Sequence, residues 1–122
     1  MNIDFNTDRP IYMQLAEGLE DAILSGAYEE ETQIPSTTEI SVNYKINPAT
    51  ALKGINMLVD GGIVYKKRGL GMFVSTSAKE KILDKRKVTF FESYINTLIS
   101  EAKKLSISKE DILIMLERGF NK

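Results

Sequence analysis

The sequence predicts a mainly α-helical fold carrying one small β-hairpin, followed by a helical tail. Three observations predict it. Residues 35–59 read as two short helices joined by a tight turn. Residues 63–74 read as two short β-rich runs around a basic, glycine-containing tip. From Ser77 to the end, apolar residues recur at helical spacing.

Asn2 to Thr7 reads as an extended arm. Asp8 is placed to cap a first helix beginning at Arg9-Pro10, and Ile11, Leu15, Leu19, Ala22 and Ile23 form its apolar face, with Tyr12 beside it. Gly26 ends that helix as the residue just past its cap. The loop from Ala27 to Ile34 holds Glu29-Glu30-Glu31, which reads as a solvated acidic turn. A hard cation would need several converging oxygens, and nothing in the loop predicts convergence.

In the central stretch, Pro35 stops the preceding segment and Ser36 can cap the next helix. Ile40 and Val42 are the apolar residues of this short helix, Asn43-Tyr44-Lys45 breaks the pattern, and Ile46 packs back. Asn47 is then an N-cap with Pro48 at the first helical position, where a missing N–H costs nothing. Ala51, Leu52, Ile55, Leu58 and Val59 recur at helical spacing after it. The first turn, Pro48-Ala49-Thr50-Ala51, is small and lightly polar, so that helix end can approach another surface closely. A helix-turn-helix uses such an end to enter the major groove. Alone, the pattern also fits a helical hairpin in a core.

Asp60-Gly61-Gly62 is a turn. Ile63-Val64-Tyr65 and Met72-Phe73-Val74 are the strands, and Lys66-Lys67-Arg68-Gly69-Leu70-Gly71 is the tip. A hairpin directly after a helix-turn-helix is a wing. The glycines lack the Lys-Ser/Thr of a P-loop and the helix start of a dinucleotide site, so they turn the hairpin and let the backbone come near a phosphate. In the tail, Ile82 and Leu83 sit within a charged run. Phe91, Tyr94, Ile95, Leu98, Ala102 and Leu105 then make a stripe. Ser108 with Asp111 resembles a capping box, and Ile112, Leu113, Met115, Leu116 and Phe120 make a last amphipathic helix ending near Gly119.

Composition narrows the function. At 122 residues the chain is one domain, or one small domain with an appendage. It has neither cysteine nor histidine, which removes disulfides, thiolate chemistry and most zinc sites, so neither metal nor cofactor is expected. No nucleophile–base pair or nucleotide loop points to an enzyme. The N-terminus lacks a signal-peptide apolar region and no run approaches a membrane span, so a cytoplasmic protein is expected. Net charge is −1, but it is unevenly placed. Residues 1–44 carry one basic residue against nine acidic, residues 45–87 ten against three, and residues 88–122 five against five. Local charge, not the total, sets the footprint on a polyanion, and the basic block begins at the proposed recognition helix.

The first 75 or so residues resemble the DNA-binding domain of the GntR family of bacterial transcription regulators. The matching residues are Pro10-Ile11-Tyr12-Met13-Gln14-Leu15, Ser25-Gly26-Ala27-Tyr28, Ile34-Pro35-Ser36, Ile46-Asn47-Pro48-Ala49-Thr50-Ala51, Leu58-Val59-Asp60-Gly61-Gly62-Ile63 and Gly69-Leu70-Gly71-Met72-Phe73-Val74. The short tail resembles the YtrA-like subgroup, whose C-terminal part mainly dimerises and lacks a large effector domain. That resemblance implies a repressor beside a transporter operon. Three positions depart from the family pattern. Thr38 stands where an arginine contacting DNA is usual, Asn47-Pro48 stands for Ser-Arg, and Glu31 stands where many relatives have glycine, a change expected to affect only turn geometry.

The sequence therefore predicts a winged helix-turn-helix over residues 9–77 and a two-helix dimerisation tail over residues 78–122. Ser36, Thr37, Thr38, Asn47, Pro48, Ala49, Thr50, Lys53, Lys66, Lys67, Arg68 and Gly69 are expected at double-stranded DNA. Phe91, Tyr94, Ile95, Leu98, Ala102, Leu105, Ile112 and Leu116 are expected at the homodimer interface, since about 45 residues are too few for an independent core. The operator would have two half-sites about 34–36 Å apart or a multiple of that. The rival reading is a winged-helix module for protein or RNA contact, with the charge block incidental.

Overall fold

A computed structural model describes all 122 residues, Met1–Lys122. The elements, in order, are α1 (Ile11–Leu24), α2 (Thr37–Tyr44), α3 (Pro48–Asp60), β1 (Val64–Lys67), β2 (Gly71–Val74), α4 (Ala78–Phe90), a π-helical turn (Phe91–Ile95), α5 (Asn96–Lys104) and α6 (Lys109–Phe120). The chain divides into two compact units, Met1–Asp84 and Lys85–Lys122. This division falls inside α4, seven residues beyond the boundary expected at Ser77. The cause is packing: Ala78 and Ile82 are fully buried in the core of the first unit.

The first unit is built around α3. Leu15, Leu19 and Ile23 of α1, Ile40 of α2, and Ala51, Ile55 and Leu58 of α3 are all within 1 % of complete burial. Ile34, Ile63, Val64 and Val74 close the same cluster from the hairpin side. Gly54 lets α1 and α3 approach. A Cβ there would stand 2.9 Å from the Tyr12 carbonyl oxygen and 2.9 Å from Leu15 Cδ2. The helical spacing overstated the core at three positions. Val42, Leu52 and Val59 lie 69, 49 and 37 % exposed, on the outer faces of α2 and α3.

α1 begins two residues later than expected. Pro10, not Asp8, is its N-cap, and no side chain caps it. Instead Gln14 turns back to the arm. Its Oε1 accepts from the Asp4 amide at 2.8 Å, and its Nε2 donates to the Asp4 carbonyl at 2.9 Å and the Arg9 carbonyl at 3.0 Å. Gly26, at φ +88°, follows the Ser25 cap as expected.

In the second unit the π turn and α5 are joined to α6 by a short bend, where Ser106 adopts φ +56°. Ser108 Oγ accepts the Asp111 amide at 3.1 Å, one half of a capping box. α6 runs one residue past Gly119, which is helical rather than terminal. Ala102 is the one buried apolar residue of this unit.

Candidate nucleic-acid interface

Both local capping signals position the expected recognition region. Ser36 Oγ accepts the Glu39 amide at 3.0 Å, and Glu39 Oε1 accepts the Ser36 amide at 3.2 Å, a complete capping box that starts α2. Lys45 ends α2 in the left-handed region at φ 53°, and Ser41 Oγ donates to the Ile46 carbonyl at 2.7 Å. These two contacts fix the bend between α2 and α3. Asn47 Oδ1 then accepts the Ala49 amide at 2.8 Å, with Pro48 in the first turn of α3.

That start of α3 is open. Asn47, Pro48 and Ala49 are exposed, and Thr50 is half-buried. At the start of α2, Ser36 and Thr38 are exposed and Thr37 is half-buried. The Ser36 hydroxyl already accepts the Glu39 amide, so the freer hydroxyl of that pair is Thr38. Lys53 is exposed but engaged. Its ammonium sits 4.1 Å from the centroid of the Tyr12 ring. This cation–π contact rests the charge of α3 against α1 in the absence of DNA.

The hairpin differs from expectation in where its tip begins. Lys66 and Lys67 are strand residues, paired with Met72 and Gly71, and Ile63 lies before the strand. Arg68-Gly69-Leu70 makes the turn, closed by the Leu70 amide on the Lys67 carbonyl at 2.9 Å. Gly69 and Gly71 have φ of +79° and +122°, which side chains rarely adopt. Lys66, Arg68 and Gly69 are exposed. Lys67 is half-buried, its ammonium 4.3 Å from the Phe73 ring centroid and 5.9 Å from that of Tyr65.

In the expected solvated acidic turn Glu29, Glu30 and Glu31 are all exposed, but Glu31 is also bonded to the hairpin. The segment 31–34 runs beside β2, with one isolated antiparallel bridge, Gln33 to Phe73. The Glu31 amide donates to the Val74 carbonyl at 2.8 Å, the Val74 amide to the Thr32 carbonyl at 2.9 Å, and the Ile34 amide to the Met72 carbonyl at 2.9 Å. Gln33 Nε2 donates to the Leu70 carbonyl at 2.7 Å. The Glu31 carboxylate accepts from Tyr65 Oη and from Thr76 Oγ1, each at 2.6 Å. Those hydroxyls, Thr76 first, hold the Glu31 carboxyl below the usual carboxylate range, and the bond to Glu31 raises the Tyr65 phenol. Glu31 thus does more than shape a turn. Its partners lie 34 and 45 residues away, and no local pattern announces them.

In the second unit, Phe91, Tyr94, Leu105 and Leu116 of the expected interface are exposed, and Ile95, Leu98 and Ile112 are half-buried. Ala102 is buried, so it offers little outward surface. Leu113, Ile114, Met115 and Phe120 are also exposed, at 53, 55, 53 and 86 %. No helix of the chain is long and apolar enough to cross a membrane.

The sequence model described as "Bacterial regulatory proteins, gntR family" matches residues 11–74, from the start of α1 to the end of β2. The repressor YtrA of Bacillus subtilis is 27 % identical over 112 residues, covering 92 % of this chain and 85 % of its own length. A crystal structure of a GntR-family transcriptional regulator from Bacteroides thetaiotaomicron superposes with a TM-score of 0.78 at 34 % identity, over 91 % of this chain and 96 % of that one. The DNA-binding domain of AraR in complex with an operator superposes with a TM-score of 0.57 at 26 % identity, over 62 % of this chain and 96 % of that one.

Proposed function

The chain belongs to the GntR family of bacterial regulatory proteins and is a DNA-binding transcription regulator, and from that premise we propose that it is a dimeric repressor in the cytoplasm, acting by binding alone. The first turn of α3, with Asn47, Ala49 and Thr50, enters the major groove of an operator half-site. Ser36, Thr37, Thr38 and Pro48 lie along the adjoining backbone. Lys53, Lys66, Lys67, Arg68 and Gly69 meet phosphate or groove. The observation that carries this reading is the open, Asn47-capped start of α3, next to the capped start of α2, in the same compact unit as the basic hairpin. Relatives named as repressors, such as YtrA, favour repression, and the resemblance of the tail to the YtrA-like subgroup makes a nearby operon, a transporter's among the candidates, the target.

Dimerisation rests on the second unit. A unit of 38 residues that buries Ala102 alone cannot hold its fold by its own core. Its exposed Phe91, Tyr94, Leu105 and Leu116 form the kind of apolar surface that a second copy covers. Two winged domains held together raise each other's effective concentration on a two-half-site operator.

Two measurements test the reading. Binding to duplex DNA should weaken steeply with salt, and changing Lys67 and Arg68 together to alanine should lower the slope of log affinity against log salt by about one to two units. A salt-independent affinity would favour the rival reading, a module for protein contact. Sedimentation of a variant carrying Phe91→Asp and Leu116→Asp should show monomers with weak non-specific binding and no tight operator complex. A dimer as tight as the parent's would place the interface elsewhere.

A further inference from the structure

The hairpin that carries Lys66, Lys67 and Arg68 has four residues in each strand. A two-stranded hairpin of that size has marginal stability in water, and its tip glycines confer no stiffness. Yet its basic side chains must stand at a defined place to meet phosphates. The base is anchored by Val64 and Val74 in the core and by the backbone bonds of residues 31–34 to β2, and two side chains of the preceding loop extend that hold to β1 and to the tip. Glu31 holds the base, accepting from Tyr65 on β1 and from Thr76 just after β2, both at 2.6 Å. Gln33 holds the tip, donating to the Leu70 carbonyl at 2.7 Å. Gly71 is shaped to admit it, because a Cβ there would lie 2.5 Å from Gln33 Nε2.

The backbone at Glu31 points the same way. Its φ is +65°, a region in which side chains are rare and glycine is at ease. A side chain at such a position persists when its contacts outweigh the strain. The contacts here are the two hydroxyl bonds, both to the hairpin.

We infer that Glu31 and Gln33 are positioning residues for DNA binding, clamping the hairpin at base and tip so that Lys66, Lys67 and Arg68 are presented in one place. This rests on the proposed DNA-binding role and adds to it the means by which the wing is aimed. Neither residue touches DNA in this scheme. The clamp acts through Tyr65, Thr76 and the Leu70 carbonyl.

The test is a double variant, Glu31→Gly with Gln33→Ala. Glycine removes the carboxylate while suiting the backbone. Amide hydrogen exchange, read without DNA, should speed up at least about tenfold across residues 66–72 and stay unchanged in α1 and α3. On duplex DNA the slope of log affinity against log salt should fall by about one unit, with the melting temperature within about 4 °C of the parent. Glu31→Gln alone, which keeps an acceptor of the same length, should retain most of the parent's protection and slope. A Tyr65→Phe, Thr76→Val variant leaves the loop intact and should repeat the loss at the hairpin base. It decides the matter if the loop variant fails to fold. Parental exchange and parental slope in these variants would overturn the clamp. If the parent itself shows no salt-dependent DNA binding, the functional reading fails, and the exchange data still judge whether the clamp holds the hairpin.

Discussion

The first compact unit encloses fifteen apolar residues in one cluster, whereas the second encloses Ala102 and leaves Phe91, Tyr94, Leu105 and the run Leu113 to Leu116 open to solvent. The two units have similar shares of apolar residues at helical spacing, so composition does not distinguish them. What differs is topology. In the first unit, three helices and a hairpin converge, and each apolar face meets another. In the second, the helices follow one another with little convergence, and α6 buries none of its residues. A fold stable by itself and a fold that waits for a partner can be written in the same alphabet. The count of converging elements separates them.

That contrast can be broken by substitution. The largest effect is expected at Leu58, which is completely buried on α3. Leu58→Ala should destabilise the first unit by about 2–5 kcal/mol in denaturant unfolding. Leu113→Ala, on the open side of α6, should change unfolding of an isolated monomer by less than about 0.5 kcal/mol. Similar costs at the two positions would erase the distinction. A smaller effect is expected at Gly54. An added methyl there meets a backbone carbonyl at 2.9 Å that cannot move aside, so Gly54→Ala should cost about 1–3 kcal/mol despite alanine's better helix propensity. The smallest is at Gly119, where nothing lies within 4 Å of an added Cβ. Gly119→Ala should stabilise α6 by up to about 1 kcal/mol, read as a higher melting temperature. A loss there would mean that a partner copy packs against the glycine.

The elements legible in the sequence were those whose causes are local. Ser36 and Glu39 lie three residues apart, Asn47 and Ala49 two, and both caps arise from that closeness alone. The hairpin was legible from its β-rich runs and glycines, though its tip began two residues early because the lysines of a strand and of a turn look alike. The contacts that aim the site were not legible. Gln33 meets the Leu70 carbonyl across 37 residues, and Lys53 meets Tyr12 only because α1 crosses α3 at Gly54. Helical spacing likewise marked Val42, Leu52 and Val59 as core, since periodicity records which residues share a face and not whether anything covers it. The expected DNA contacts at Thr38, Asn47 and Arg68 keep their openness in the folded chain, whereas Lys53 and Lys67 are drawn onto aromatic rings.

The π turn at Phe91–Ile95 has a consequence for how this tail can vary. Such a turn spans i to i+5, one residue more than an α-helical turn, so it behaves as a single extra residue absorbed without breaking the helix. Each residue of an α-helix advances the side-chain direction by about 100°. Removing one residue between Phe91 and Ile95 would restore an ordinary turn and swing every side chain of α5 round relative to Phe91 by about that angle. Ile95, Leu98 and Ala102 would turn together, because all three lie beyond the removed residue, and their direction relative to Phe91 would change. One-residue length changes in this short stretch therefore act as a rotary setting. They set the direction in which the stripe of α5 points relative to Phe91 while leaving every amino acid of the stripe itself untouched.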